Sequence, residues 1–160
     1  MLLDRTLKSL LEEPSIADIA PDAISNWGLS EKDFYDWTLG EIADKMGWRF
    51  LERGFTRLFK AAASGNYYYK LYSEEEREND PEKERPSLVW FPSDDAAADD
   101  KPYILLVPGG GFESVWNMNE GWPVASHFND LGYHAFVLTY RVGTEGAALL
   151  AMEDMARAFR

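Results

Sequence analysis

Three consecutive glycines, Gly109, Gly110 and Gly111, are the residues of this chain whose type and spacing most clearly indicate chemistry. They follow Pro108 and the apolar run 103–107, which predicts a buried strand. A glycine run after such a strand lets main-chain N–H groups approach a negatively charged atom, because no side chain obstructs them. We expect the loop at the carboxyl end of a parallel sheet, where open α/β folds bind ligands.

A dinucleotide-binding fingerprint is the first interpretation of the glycines. Gly109 and Gly111 fit the spacing G-x-G-x-x-G, but Ser114 stands where the third glycine belongs. The next predicted strand ends in Tyr140 and Arg141, not in an acidic residue that could bind a ribose. The chain contains no G-x-x-x-x-G-K-[ST] sequence, which excludes a P-loop.

A tight turn and an oxyanion hole are the other two interpretations. A turn explains one glycine better than three, since each glycine costs roughly 0.5–1 kcal/mol relative to alanine. An oxyanion hole needs backbone donors about 3 Å from a developing negative oxygen, and this requirement accounts for glycine at successive positions. We favour the oxyanion hole.

The elements around the loop alternate between strand and helix. After the strand at 103–107, a helix entered near Pro123 ends at Gly132, and a strand at 134–140 leads to a last helix. This order predicts an α/β fold with parallel strands and crossover helices. The first helix should carry Val124, Phe128 and Leu131 on one face, and the buried face of the last should be formed by Ala148, Met152, Met155 and Phe159.

Residues 1–65 form a helical N-terminal segment interrupted by prolines and glycines, among them Gly28 and Gly47. Thr38 and Glu41 have capping-box spacing, which predicts a helix starting near Leu39. A second helix should end at Gly65. Its apolar residues recur at helical spacing and predict one buried face, formed by Phe50, Leu51, Phe55, Leu58, Phe59 and Ala62.

Two strand-like segments, 67–72 and 88–91, predict an antiparallel hairpin. The acidic stretch 73–86 between them, and a second acidic turn at 94–100, could form a metal-binding face, but solvated loops are the better interpretation. We expect no metal site.

Composition narrows the classes of function. A net charge of −12 argues against nucleic acid and anionic membrane surfaces as partners. The absence of cysteine excludes disulfides and thiolate nucleophiles. A hydrophobic fraction of 46% indicates a packed core. With neither a signal-peptide pattern nor a membrane-spanning run, a cytoplasmic location is expected.

The pattern around the glycines resembles the N-terminal half of an α/β-hydrolase, specifically the acetyl-esterase and hormone-sensitive-lipase-like carboxylesterases. The resemblance covers about residues 67–160. It rests on Pro108-Gly-Gly-Gly-Phe112, Glu120-Gly-Trp-Pro123, Gly132-Tyr133, the run from Phe136 to Arg141, and Asp154. It implies a partial hydrolase sheet, an antiparallel hairpin followed by parallel strands, preceded by the helical segment 1–65, which would correspond to the cap of related esterases.

The resemblance also implies roles for the loop residues. Gly110 and Gly111 would donate their N–H groups to the oxyanion, and Gly109, Phe112 and Ser114 would line the substrate pocket. Pro108 stands where the family has histidine, so the side-chain support of the loop differs. Arg141 and Asp154 would be structural partners and not catalysts.

The catalytic triad of the family has no counterpart here. The nucleophile should stand on G-x-S-x-G, a sequence that this chain does not contain, so no residue is assigned as nucleophile, base or acid. His127 and His134 both precede the position of a triad histidine and are interpreted as surface or packing residues. A carboxylate beside an oxyanion would oppose it, so Glu120 is expected to support the N-terminus of the following helix.

Residues 66–160 would thus be the first half of a hydrolase domain, ending before the nucleophile. The strand at 103–107 would then present an open edge to the missing half or to a second chain. We expect a serine carboxylesterase for small acyl esters without cofactor, in which this chain alone is inactive. The alternative is a non-catalytic α/β module that binds an anion or assembles with a partner.

Overall fold

The structure is a computed structural model that describes residues 1–23 and 31–160, so the predicted break at Gly28 lies outside the described residues. Within these ranges the chain forms six α-helices and four strands. Helices α1 to α6 span Leu7–Leu11, Leu39–Met46, Leu51–Ala63, Glu74–Asn79, Trp122–Asp130 and Ala147–Ala158. Strands β1 to β4 span Tyr68–Lys70, Ser87–Phe91, Ile104–Leu106 and Ala135–Thr139.

The four strands form one mixed sheet in the order β1-β2-β4-β3. β2 runs antiparallel to both β1 and β4, whereas β3 runs parallel to β4. Helix α5 connects the two parallel strands, as a crossover requires. The predicted α/β class and its antiparallel hairpin are confirmed, and β3 lies at one edge of this sheet.

Each face of the sheet is covered by a different layer. Val89 and Val137 of one face share a core with α5 and with the N-terminal segment, including Phe55 of α3. A Cβ built on Gly54 of α3 would lie 3.0 Å from the ring of Pro123, which shows that α3 packs tightly on α5. On the other face, Leu138 packs with Ala151 of α6. The N-terminal segment therefore belongs to the same hydrophobic core as the sheet.

The predicted features of α2 and α3 are confirmed. The Thr38 hydroxyl accepts from the Glu41 amide, and the Glu41 carboxylate accepts from the Thr38 amide at 2.8 Å, which completes the capping box. In α3, Leu51 and Phe55 are buried as expected. Phe50 is not, since it precedes the helix and is 63% exposed.

The apolar faces predicted for α5 and α6 are only partly right: Phe128 and Met155 pack partly buried against the core, but the other residues do not. Val124 of α5 and Leu131 directly after the helix are exposed, and the buried side is formed by Trp122, Pro123, Ala125, Ser126 and Asn129. In α6, Met152 and Phe159 are about 60% exposed, and Ala147, Ala151 and Asp154 are buried instead. Both helices are rotated because buried polar side chains find partners: Asn129 donates to the Phe91 carbonyl, and Asp154 binds Arg141.

The acidic connection between β1 and β2 is partly helical, where a loop was expected. Ser73 and Glu76 form a capping box at the start of α4, a signal that the sequence carries. Glu76 also binds Arg157 of α6 at 2.7 Å, so the segment is tied to the domain.

Candidate oxyanion site

The glycine loop follows β3 at its carboxyl end, as predicted. All peptide bonds of the described residues are trans. Gly110 and Gly111 have φ values of 141° and 63°, and Phe112 has a φ of 62°, the one positive value of a non-glycine residue in the described chain. Such a φ is uncommon for a bulky residue, which indicates that neighbouring contacts hold the loop in a fixed path.

The carbonyl groups of the loop are bound by the protein. The Tyr140 hydroxyl donates to the Pro108 carbonyl at 2.7 Å, and the Trp116 amide donates to the Gly109 carbonyl at 3.2 Å. The Ser114 amide donates to the Gly110 carbonyl at 3.1 Å. The loop is therefore anchored through its acceptors.

The N–H groups of Gly110 and Gly111 point in the opposite direction to these carbonyl groups. In a trans peptide the N–H is directed opposite to the preceding carbonyl. Since the Gly109 and Gly110 carbonyls point into the segment 113–116, the N–H groups of Gly110 and Gly111 point away from it. Neither N–H has a hydrogen-bond partner within residues 1–23 and 31–160. Two successive main-chain donors are thus left for a ligand.

The three positions differ in how strongly they require glycine. A Cβ on Gly109 would lie 2.7 Å from Oε2 of Glu120, and a Cβ on Gly110 would lie 2.0 Å from the Ser114 carbonyl oxygen. A Cβ on Gly111 would meet nothing within 4 Å, but its φ is one that side-chain-bearing residues rarely adopt. Gly110 is required by the backbone that lies against it and Gly111 by its backbone conformation, whereas a Cβ on Gly109 would meet only the movable end of the Glu120 side chain.

Glu120 supports the loop itself and not the N-terminus of α5, which corrects the prediction. Its Oε2 accepts a hydrogen bond from the Gly109 amide at 2.8 Å. α5 begins after Gly121 without a side-chain cap. Sequence reasoning missed this contact because it joins residues 11 positions apart across an irregular segment, and neither helical nor strand periodicity signals it.

A cavity of about 340 Å³ lies beside the loop, within the range of small-molecule sites. The loop from Val107 to Phe112 forms one wall, and Ala151, Met152 and Met155 of α6 form another. Tyr140 completes the lining. Burial raises the pKa of the Tyr140 phenol, and the nearby Glu120 charge raises it further, so the hydroxyl stays protonated and keeps its bond to Pro108. No residue of the N-terminal segment described here lines this cavity.

The structure brings Gly109, Gly110, Gly111 and Phe112 together at the cavity but leaves Ser114 out. Ser114 is fully buried, and its hydroxyl accepts from the Trp116 indole at 2.7 Å and donates to the Gly110 carbonyl at 3.2 Å. Ser114 therefore holds the loop through the Gly110 carbonyl, on the side away from the cavity. The wall residues Met152 and Met155 were assigned to the core in the sequence, so their place at the cavity was missed.

The two histidines lie away from the loop. His127 is exposed on α5. His134 accepts from the Ser93 amide at 3.0 Å and contacts Asp99 at 2.9 Å, so both of its ring nitrogens have partners. Neither residue lines the cavity.

Arg141 and Asp154 form the expected pair. The Arg141 guanidinium binds both carboxylate oxygens of Asp154, and the Tyr72 hydroxyl donates to the same carboxylate at 2.6 Å. All three residues are buried. The pair joins the end of β4 to α6 and thereby sets the position of the cavity wall that carries Ala151.

Among the described residues, no three His, Asp or Glu side chains gather in a way that could hold a metal ion. No helix in residues 1–23 or 31–160 has the length and apolar character needed to cross a bilayer.

Comparison of the chain with protein-family models, with curated proteins and with solved structures returned no match.

Proposed function

We propose that this chain supplies the oxyanion-binding loop of a serine carboxylesterase that hydrolyses small acyl esters, such as acetyl esters, through an acyl-enzyme. One observation carries the proposal: the N–H groups of Gly110 and Gly111 have no partner within the described chain, on a loop that lines a cavity. Gly110 is partly buried and Gly111 is exposed, so both N–H groups are accessible from outside the protein, and two successive free donors favour a ligand oxygen at this place.

The chemistry follows from those donors. When a nucleophile attacks an ester carbonyl, the carbonyl oxygen gains negative charge, and donors about 3 Å away stabilise it. One such donor contributes roughly 10²–10³ in rate where it has been removed by mutation. The nucleophile, base and acid that complete this chemistry are assigned to no residue of this chain.

The cavity lining favours an ester carbonyl over a fully charged anion. Its lining residues include no Lys, Arg or His that would neutralise a phosphate. Phe112, Met152 and Met155 offer apolar surface to the acyl or alkyl part of a ligand. An uncharged ester with one polarisable oxygen fits this combination.

The alternative, an assembly module, draws on a different observation. β3 is the edge strand of the described sheet, and Tyr103 and Val107 beside it are about half exposed. An open edge can pair with a strand of another segment or chain. This pairing is compatible with the esterase proposal.

Dimethylarsinate, a tetrahedral monoanion with two methyl groups, tests the proposal as a mimic of the acetyl-transfer intermediate. In ¹⁵N-resolved NMR titrations of the 160-residue chain, the Gly110 and Gly111 amides should shift most. Dimethyl sulfone, a neutral molecule of similar shape, should leave them nearly unchanged. Equal responses to the two compounds, or shifts confined to residues far from the loop, would refute the proposal.

A further inference from the structure

The Gly109 amide is the first of the loop's N–H groups, and it already donates a hydrogen bond within the protein. Glu120 accepts from it at 2.8 Å, whereas the next two amides have no partner in the described chain. Without this carboxylate, three successive N–H groups would be free, and such a row of donors suits tetrahedral polyanions. Glu120 thus decides how many donors the loop offers.

The same contact places a negative charge next to the free donors. Successive Cα atoms are about 3.8 Å apart, so a carboxylate held at Gly109 lies within roughly 10 Å of a ligand on the next two amides. No Lys, Arg or His among the cavity's lining residues offsets that charge. The Glu120 charge also raises the pKa of Tyr140, which lines the cavity.

We propose that Glu120 is a specificity-determining residue that makes this loop reject polyanions such as phosphate and accept the single oxygen of a neutral ester. The inference rests on the proposed oxyanion function and adds the class of ligand excluded. A neutral ester meets no repulsion as it binds and acquires charge only when attacked. A phosphate dianion meets repulsion at once and finds two donors in place of three.

The expected change in affinity depends on the charge of the ligand. In a water-like dielectric at such distances, one unit of ligand charge should cost about two- to threefold in affinity. At about pH 8 inorganic phosphate is a dianion and dimethylarsinate a monoanion. Replacing Glu120 by Gln should therefore improve phosphate binding by about four- to ninefold and dimethylarsinate binding by about two- to threefold.

Three variants of the 160-residue chain separate charge from structure. Glu120→Gln keeps an acceptor for the Gly109 amide, so that amide resonance should stay close to its wild-type position. Glu120→Ala frees the amide, which should move upfield and then respond to phosphate. Glu78→Gln is the control for net charge, because Glu78 is an exposed carboxylate on α4 that does not line the cavity; its phosphate affinity should change by less than about twofold.

Affinities for phosphate and dimethylarsinate come from the Gly109, Gly110 and Gly111 amide shifts. Equal phosphate affinity in wild type and Glu120→Gln overturns the inference, as does an equal gain in Glu78→Gln, which would reflect net charge alone. If dimethylarsinate still shifts Gly110 and Gly111 in those cases, the proposed function survives. If neither ligand shifts them in wild type or in Glu120→Gln, both the inference and the proposed function are refuted.

Discussion

Arg141 and Asp154 form a buried ion pair, with Nη2 of the guanidinium 2.7 Å from Oδ1 of the carboxylate. Asp154 has no exposed surface, and the side chain of Arg141 is 5% exposed. The carboxylate also accepts from the Arg141 main-chain amide at 2.8 Å and from the Tyr72 hydroxyl. Burial and the hydrogen bond to Asp154 raise the pKa of Tyr72, which keeps that hydroxyl a donor.

Removing this carboxylate should destabilise the domain strongly. Asp154→Ala leaves the buried guanidinium with only the exposed carboxylate of Glu153 as a counter-charge, and we expect the free energy of unfolding to fall by roughly 3–5 kcal/mol, or Tm by about 10 °C. Glu153→Gln is the control, since Glu153 binds the same guanidinium but is 59% exposed; it should cost at most about 1 kcal/mol. Urea denaturation measures both, and similar costs would contradict the structural role assigned to Asp154.

Alanine substitutions at Gly110 and Gly111 should have unequal effects. Gly111→Ala meets no atom within 4 Å and bears only the strain of its positive φ, roughly 1–2 kcal/mol. Gly110→Ala also collides with the Ser114 carbonyl oxygen, so it should lose roughly 2–5 kcal/mol. Thermal unfolding of the two variants side by side checks the order, and the reverse order would mean that the loop follows another path.

Acid should weaken the link between α4 and α6. The amide of Ser73, with help from Arg157, lowers the pKa of Glu76 below its ordinary 4.5. A lowered pKa means that the stabilisation is present above pH 4.5 and is lost as the pH falls below it. Glu76→Gln should therefore lose less stability than wild type between about pH 6 and pH 3, as measured by urea denaturation. Glu78→Gln, which removes an exposed charge from the same helix, should keep the wild-type slope.

Sequence reasoning succeeded where local rules decide the structure. The capping box at Thr38, the buried face of α3 and the glycine loop after β3 all follow from short-range patterns, and the structure confirms each of them. The α/β class follows from the order of strands and helices, which is also local information.

The sequence analysis was wrong where a distant polar contact outweighs the apolar pattern. Asp154 turns α6 so that Ala151 faces the core and Met152 lies at the cavity, because a buried carboxylate must meet its guanidinium. Glu120 binds the Gly109 amide across a turn that no periodicity describes. The Glu120 contact depends on the folded arrangement and leaves no trace in residue spacing, whereas the Arg141–Asp154 pair was expected from the resemblance but its effect on the orientation of α6 was not.

The chain by itself should not turn over esters. It contains no G-x-S-x-G, and neither histidine lines the cavity, so binding of an oxyanion is not coupled to a nucleophile. Hydrolysis of p-nitrophenyl acetate should proceed at the buffer rate in wild type and in Gly110→Ala alike. A turnover that is present in wild type, and lost in Gly110→Ala, would show that a nucleophile has been overlooked.

A crystal structure of the chain grown with dimethylarsinate tests the central claim most directly. We predict one arsinate oxygen about 3 Å from the amide nitrogens of both Gly110 and Gly111, with the methyl groups toward Phe112 and Met152. The claim is contradicted if those two amides donate to main-chain carbonyls of the protein, or if the arsinate binds elsewhere while the cavity stays accessible.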